Sequence, residues 1–207
     1  MDHFLSFSAG VATAFLGGGV VQVGHQRLFH ILGKIARKKF GPRERVFLAV
    51  DNPNILAGAR ENGVHVFFDK VLHRVGNKSQ GVVEAKFFTQ AGCGPDHERF
   101  LQHVEATGFI TIKALPGRPK NGKQHPDIDC LLLTDILAHP ERFDTCVVLS
   151  GDLDYLHAFR YLRLLGKRVE VWAFPDNTSK EIKDEVDAFV DLRTLPGVCK
   201  PCQQRGS

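Results

Sequence analysis

A mainly parallel α/β sheet with helices over both faces is the fold class that this sequence predicts, on three observations. Val46–Val50 and Cys146–Leu149 are continuous apolar runs, too uniformly hydrophobic for strands with one wet face. From Arg45 onward such runs alternate with stretches of helical periodicity, as parallel neighbours require, because each crossover needs a helix. Both runs end in acids, Asp51 after the first and Asp152 with Asp154 after the second, and the carboxyl ends of strands are where open α/β sheets bind ligands.

The chain opens with an uncharged stretch, Phe4 to Gly24. As a helix its 21 residues would span about 31 Å, close to the roughly 30 Å hydrocarbon core of a bilayer. Residues 1–25 are therefore expected to form an N-terminal apolar helix, either a membrane anchor through residues 4–24 or an amphipathic helix. Five glycines, with Ser6, Ser8, Thr13 and Gln22, dilute its hydrophobicity. A secretory signal would carry its basic residues before the apolar run, whereas here they follow it.

Residues 26–45 read as a basic linker, with seven Lys and Arg against Glu44 for a net charge of +6. The whole chain carries +4 and Asp2 precedes the linker, so everything after it sums to −1. The basic pI thus belongs to the linker and is no evidence of nucleic-acid binding by the main domain. If the leader is an anchor, the linker holds the body on the cytoplasmic face of the inner membrane; otherwise the chain is cytoplasmic.

Gly41-Pro42 marks the start of the main domain, residues 46–193. Its first strand, Val46–Val50, runs into Asp51-Asn52-Pro53-Asn54. A short helix opens at Phe68-Asp69 and runs through Val75, and strands follow at Val82–Thr89 and Phe109–Ala114 with a helix over Pro95–Ala106 between them. A Pro-, Gly- and Lys-rich loop leads to a helix over Asp127–Ala138. After the strand at Cys146–Leu149 come a helix over Tyr155–Leu165 stopped by Gly166, a strand at Arg168–Trp172 and a last helix over Ser179–Val186.

Cysteines at 93, 130 and 146, scattered through structured segments, suggest a reducing compartment. Cys199-Lys-Pro-Cys202 is half of a zinc-ribbon signature with no second pair after it, so residues 194–207 are expected to be a loose tail.

Acid recurs at strand ends and at the start of the helix carrying Asp129. Carboxylates gathered this way repel one another unless a cation compensates, and an all-oxygen set suits Mg2+ or Mn2+ rather than zinc. Asp127 and Asp129 offer two registers for the helix acid.

Asp51-Asn52-Pro53-Asn54, Asp129 with Asp135, Ser150-Gly151-Asp152-Leu153-Asp154, Gly166 to Val171, and Ser179 ahead of Val186-Asp187-Ala188-Phe189 resemble the NYN domain of the PIN-like nuclease superfamily, including its LabA-like bacterial branch. The match runs in order from Val46 to Leu192. The resemblance implies a Rossmann-like three-layer α/β/α sandwich and metal-dependent cleavage of RNA. It further implies that Asp51, Asp129, Asp152 and Asp154 bind metal and carry catalysis, with Asn54 as their partner amide; of the two helix acids, the six-residue step to Asp135 in the matched pattern favours Asp129 over Asp127.

Ser150, in the turn, could position a water or backbone group, and Arg118, Lys120 and Lys123 in the basic loop are placed to touch phosphate. The expected partners are RNA, a membrane if the leader is an anchor, and further copies of the chain. A catalytically silent RNA-binding or regulatory adaptor is the alternative, since fold does not fix function. A phosphatase of the haloacid dehalogenase type would need Asp-x-Asp on the first strand, where Asp51-Asn52-Pro53 lacks the second acid.

Overall fold

The computed structural model describes residues 5–8, 11–16, 19–24, 44–79, 82–115, 119–120, 123–124 and 127–202. Strands β1 (Leu5–Ser8), β2 (Val11–Leu16) and β3 (Gly19–Gly24) form an antiparallel meander in which Leu5 faces Ala14 and Val11 faces Gly24. This corrects the apolar helix expected over 1–25. Glycine costs about 1 kcal/mol in a helix relative to alanine, and Val11, Thr13, Val20, Val21 and Val23 are branched residues that suit extended backbone. Among the described residues no helix is long and apolar enough to cross a membrane. Most of the basic linker lies outside the described residues.

The main domain is built on β4 (Val46–Asp51), β6 (Val82–Gln90), β7 (Ile110–Ala114), β10 (Thr145–Leu149), β11 (Arg168–Ala173) and β12 (Ala188–Asp191). All six run parallel in the order β12-β11-β10-β4-β6-β7. Starting at β4 the chain steps outward through β6 and β7, then returns to β10 and steps the other way. The reversal leaves a crevice above the carboxyl ends of β4 and β10, the topological switch point of a doubly wound sheet.

Helices α1 (Asn52–Glu61), α2 (Phe68–Ser79), α3 (Pro95–Ala106), α4 (Ile128–Ala138), α5 (Leu156–Leu164) and α6 (Lys180–Glu185) make the crossovers. Both α2 and α4 pack on β4 and β6, so they cover opposite faces of the sheet. Val46, Leu48, Val50, Val148 and Leu149 are buried between them, as the uniformly apolar runs demand. Phe68, Phe87, Phe100 and Phe109 meet edge to face at 4.8–6.2 Å in the α2–α3 layer.

Within the main domain and the tail, further elements differ from the sequence expectation. The α1 helix was not expected because Asn52-Pro53-Asn54 reads as a turn; Pro53 instead occupies the first turn, where no N–H is needed, and Asp51 caps it. Strand β12 adds a sixth member to the sheet. Residues expected in a loose tail form β13 (Cys199–Pro201), antiparallel to β5 (Val64–Val66), and the Cys202 N–H donates to the Gly63 carbonyl.

Candidate active site

Register assembles the site. With Leu149 beside Val50, the next residue out on each strand brings Ser150 beside Asp51, and Ser150 Oγ donates to Asp51 Oδ2 at 3.0 Å. The turn after Ser150 is held from two sides. Asn54 Oδ1 accepts the Gly151 N–H at 3.0 Å, and Ser150 Oγ accepts the Asp152 N–H at 3.2 Å. A side chain at Gly151 would bring its Cβ within 2.4 Å of the Asn177 carbonyl oxygen and 2.5 Å of Thr178 Oγ1, so only glycine lets the loop after β11 approach this closely.

Beyond the turn, Asp152 caps a short 3-10 helix, its Oδ1 accepting the Asp154 N–H at 3.0 Å. Asp129 arrives from the other side, in the first turn of α4. One carboxylate oxygen from each of Asp129, Asp152 and Asp154 lies within 4.8 Å of the others. Among the described residues every ion pair with a Lys, Arg or His lies elsewhere, so the three charges have no counter-ion from within. The set is all oxygen, anionic and convergent, and it fits a hard divalent cation.

Asp127 caps α4 by accepting the Cys130 N–H at 3.0 Å, so Asp129 is the acid that joins the cluster. Asp135, six residues on, leaves it; Lys86 Nζ lies 2.8 and 2.7 Å from its two oxygens.

Asp51 stands behind the three, only 3% exposed. Its Oδ1 accepts the Asn54 N–H at 3.2 Å. Burial, with repulsion from Asp129, pushes its carboxyl up to about 6 against the bonds from Asn54, Ser150 and Tyr155. Burial also raises Asp129, with repulsion from Asp152, Asp154 and Asp127 adding to it.

Tyr155, fully buried at the foot of α5, joins the two acids: its hydroxyl lies 2.6 Å from Asp129 Oδ1 and 3.2 Å from Asp51 Oδ2. A phenol has a single proton. It therefore donates to one of the two carboxylates at a time, and the shorter contact is the one to Asp129. Burial and both carboxylates raise the phenol far above its ordinary value, so it stays a donor. Sequence reading took Tyr155 only as the start of a helix. The available signal was a hydroxyl at a core position one residue after Asp-x-Asp, since a buried Tyr hydroxyl needs a partner.

Of the residues expected to touch substrate, Ser150 is buried with its hydroxyl committed to Asp51, and Asn54 holds the turn through Gly151. Lys120 and Lys123 belong to a two-stranded hairpin, β8 (Pro119–Lys120) with β9 (Lys123–Gln124), and Arg118 lies outside the described residues.

Comparison with known proteins points the same way. The NYN domain family model matches residues 45–193. The Low amplitude and bright protein LabA of Synechococcus elongatus is 24% identical over 160 residues, covering 73% of this chain and 85% of that protein. A crystal structure of a Vibrio parahaemolyticus protein of unknown function superposes with a TM-score of 0.67 at 21% identity, over 72% of this chain and 92% of that one.

Proposed function

Because the chain belongs to the NYN domain family, of the PIN-like nucleases, we propose that it hydrolyses RNA phosphodiesters at the Asp129, Asp152 and Asp154 cluster as a Mg2+- or Mn2+-dependent endoribonuclease. The observation that carries this reading is the convergence of three uncompensated carboxylates at the switch point of the sheet. When bound there, the cation supplies an acidified water and neutralises charge on the phosphoryl oxygens.

The chain's own residues supply the rest. Asp129, Asp152 and Asp154 hold the ion, while Asp51 and Tyr155 fix where Asp129 stands. Ser150 and Asn54 hold Asp152 at the mouth of the turn, one through its hydroxyl and the other through its amide oxygen. Arg118, Lys120 and Lys123, in the segment leading to Asp129, are the proposed phosphate contacts.

Cleavage of an end-labelled single-stranded RNA in Mg2+, in Mn2+ and with chelator tests the proposal. Internal cuts that need metal are expected. Retention of RNA on the protein without cleavage under any of these conditions would replace the nuclease with an RNA-binding adaptor.

A further inference from the structure

The end of β4 serves two sides of the sheet. Asp51 reaches toward β10, where Ser150 donates to it, while the next residue, Asn52, reaches toward β6, where its Nδ2 donates to Thr89 Oγ1 at 3.0 Å. Register places this second pair too, because Asp51 lies beside Phe88 and the next step outward sets Asn52 beside Thr89. Thr89 Oγ1 is in turn 3.3 Å from His97 Nε2, at the start of α3. Thr89 Oγ1 accepts from Asn52 and shares a hydrogen bond with His97 Nε2 whose direction follows the imidazole tautomer, leaving Nδ1 for a further partner.

This chain of polar groups runs along a cleft of about 640 Å³ between α1 and α3, lined by Asn52, Leu56, Arg60, Thr89, His97 and Phe100. None of these side chains belongs to the acid cluster. Asn52 is 2% exposed, and its Oδ1 has no hydrogen-bond partner among the described residues. A buried acceptor without a partner calls for an explanation, and this one belongs to the wall of the cleft.

From this arrangement we infer that the cleft binds a nucleobase of the RNA, that of a nucleotide adjoining the scissile phosphate. Leu56 and Phe100 offer apolar and aromatic surface to a flat ring, and stacking on an aromatic side chain is tolerant of base identity. The imidazole nitrogen that does not face Thr89 meets the base edge, and the buried Asn52–Thr89 pair behind it fixes the ring's orientation. Arg60 at the rim supplies a cation for the backbone phosphate. Since Asp51 and Asn52 are consecutive, their Cα atoms lie about 3.8 Å apart, and cleft and cluster are within reach of one short RNA segment. The assignment of the base to RNA rests on the proposed ribonuclease activity; the cleft's fitness for a base does not.

Cys93 also lines this cleft and is exposed, which provides a reporter independent of cleavage. Cys130 and Cys202 are exposed elsewhere and serve as internal references. The experiment uses full-length Asp152→Asn protein in chelator and follows iodoacetamide alkylation of each cysteine by mass spectrometry. Adenosine, guanosine, cytidine and uridine are added one at a time, and then a tetranucleotide RNA.

At least one nucleoside is expected to slow Cys93 threefold or more while Cys202 keeps its rate. The tetranucleotide should act at concentrations at least tenfold lower. His97→Leu, with an unchanged melting temperature, should weaken protection at least fivefold, and Leu56→Trp, which fills the cleft, should abolish it.

Absence of protection by all four nucleosides at 10 mM, or equal slowing of Cys93 and Cys202, overturns the base site. Protection by nucleoside and tetranucleotide at equal concentrations overturns the assignment to RNA in favour of a free nucleoside or nucleotide. Cleavage by the wild type without Cys93 protection sinks this inference and leaves the nuclease standing. Protection without cleavage does the reverse.

Discussion

Strands β4 and β10 lie side by side in parallel, and their two ends treat the same residue type in opposite ways. At the amino end Asp144 meets Arg45: both guanidinium contacts, at 2.9 and 3.1 Å, fall on its carboxylate, which also accepts the Arg45 backbone N–H at 3.0 Å. The Arg45 side chain beside it holds the Asp144 carboxyl below its usual value. At the carboxyl end, six residues further along each strand, Asp51 and Ser150 adjoin three acids with no cation among the described residues, and the Asp51 carboxyl rises to about 6. One end is electrostatically complete within the chain, and the other becomes complete only with something added.

The largest expected effect comes from breaking the incomplete end. Asp152→Asn keeps the size and one oxygen of the side chain but removes a charge, and metal-dependent cleavage should fall on the order of a hundredfold or more. The amide oxygen still caps the Asp154 N–H, so the melting temperature should hold or rise as repulsion is relieved. Cleavage by the variant at the wild-type rate would remove this end from the chemistry.

Stability against pH sharpens the contrast, because the two ends carry opposite signs. Asp51 has a folded pKa above its unfolded one, so its stabilising contribution is full below about pH 4 and is lost as pH rises through about 6. Asp144 has a depressed folded pKa, so its contribution is present above the unfolded value and lost as pH falls through the folded one.

Asp51→Asn should therefore stabilise the metal-free protein at pH 8 by about 1–2 kcal/mol, after allowing for a lost acceptor, and give no gain at pH 4. Melts at the two pH values measure it; an equal shift at both would mean that ionisation of Asp51 is not the cause. Asp144→Ala should cost about 0.5–1 kcal/mol at pH 7, as a partly exposed pair does, and progressively less as pH falls through its depressed folded value. A cost that persists in acid would assign the loss to packing instead.

Away from both ends the effect should be smallest. Cys199 is half-buried, and burial with a nearby Asp191 pushes its thiol up to about 11. What β13 contributes to β5 is backbone pairing, which serine preserves. Replacing Cys199 and Cys202 with serine should change stability by no more than about 1 kcal/mol and leave cleavage intact. Stoichiometric zinc in the wild type that vanishes in this double variant would show that these thiols form a third charged centre.

What was legible in the sequence follows the same division. The central strands announced themselves because burial on both faces leaves no room for alternation, and the acids because nothing apolar follows such strands at their ends. Asp129 was separable from Asp127 only by its step to Asp135 in the matched family pattern, and the structure uses Asp127 as a cap.

Features that depend on a distant partner were not legible. Tyr155 acquires its role from Asp51 and Asp129, and Asn52 from Thr89, at separations that local pattern does not encode. The N-terminal strands were missed because an uncharged run of spanning length outweighed five glycines and a set of branched residues. The α1 helix was missed because Asn-Pro-Asn is a turn composition until an aspartate caps it.

The switch point also bears on how the molecule is made. Its two half-sheets, β4-β6-β7 and β10-β11-β12, meet behind the acid cluster, Asp51 ending the first and Asp152 with Asp154 following β10 of the second, and the Ser150–Asp51 hydrogen bond joins residues 99 positions apart. During synthesis the first half leaves the ribosome with Asp51 on an unpaired strand edge, unable to gather a cation until the second half arrives and docks. A chain severed between Leu115 and Asp127 would leave Asp129, Asp152 and Asp154 in one fragment and Asp51, which stands behind them, in the other. What depends on completed folding is the support of the cluster: the Tyr155 hydroxyl can bridge Asp129 to Asp51 only when the two halves have met.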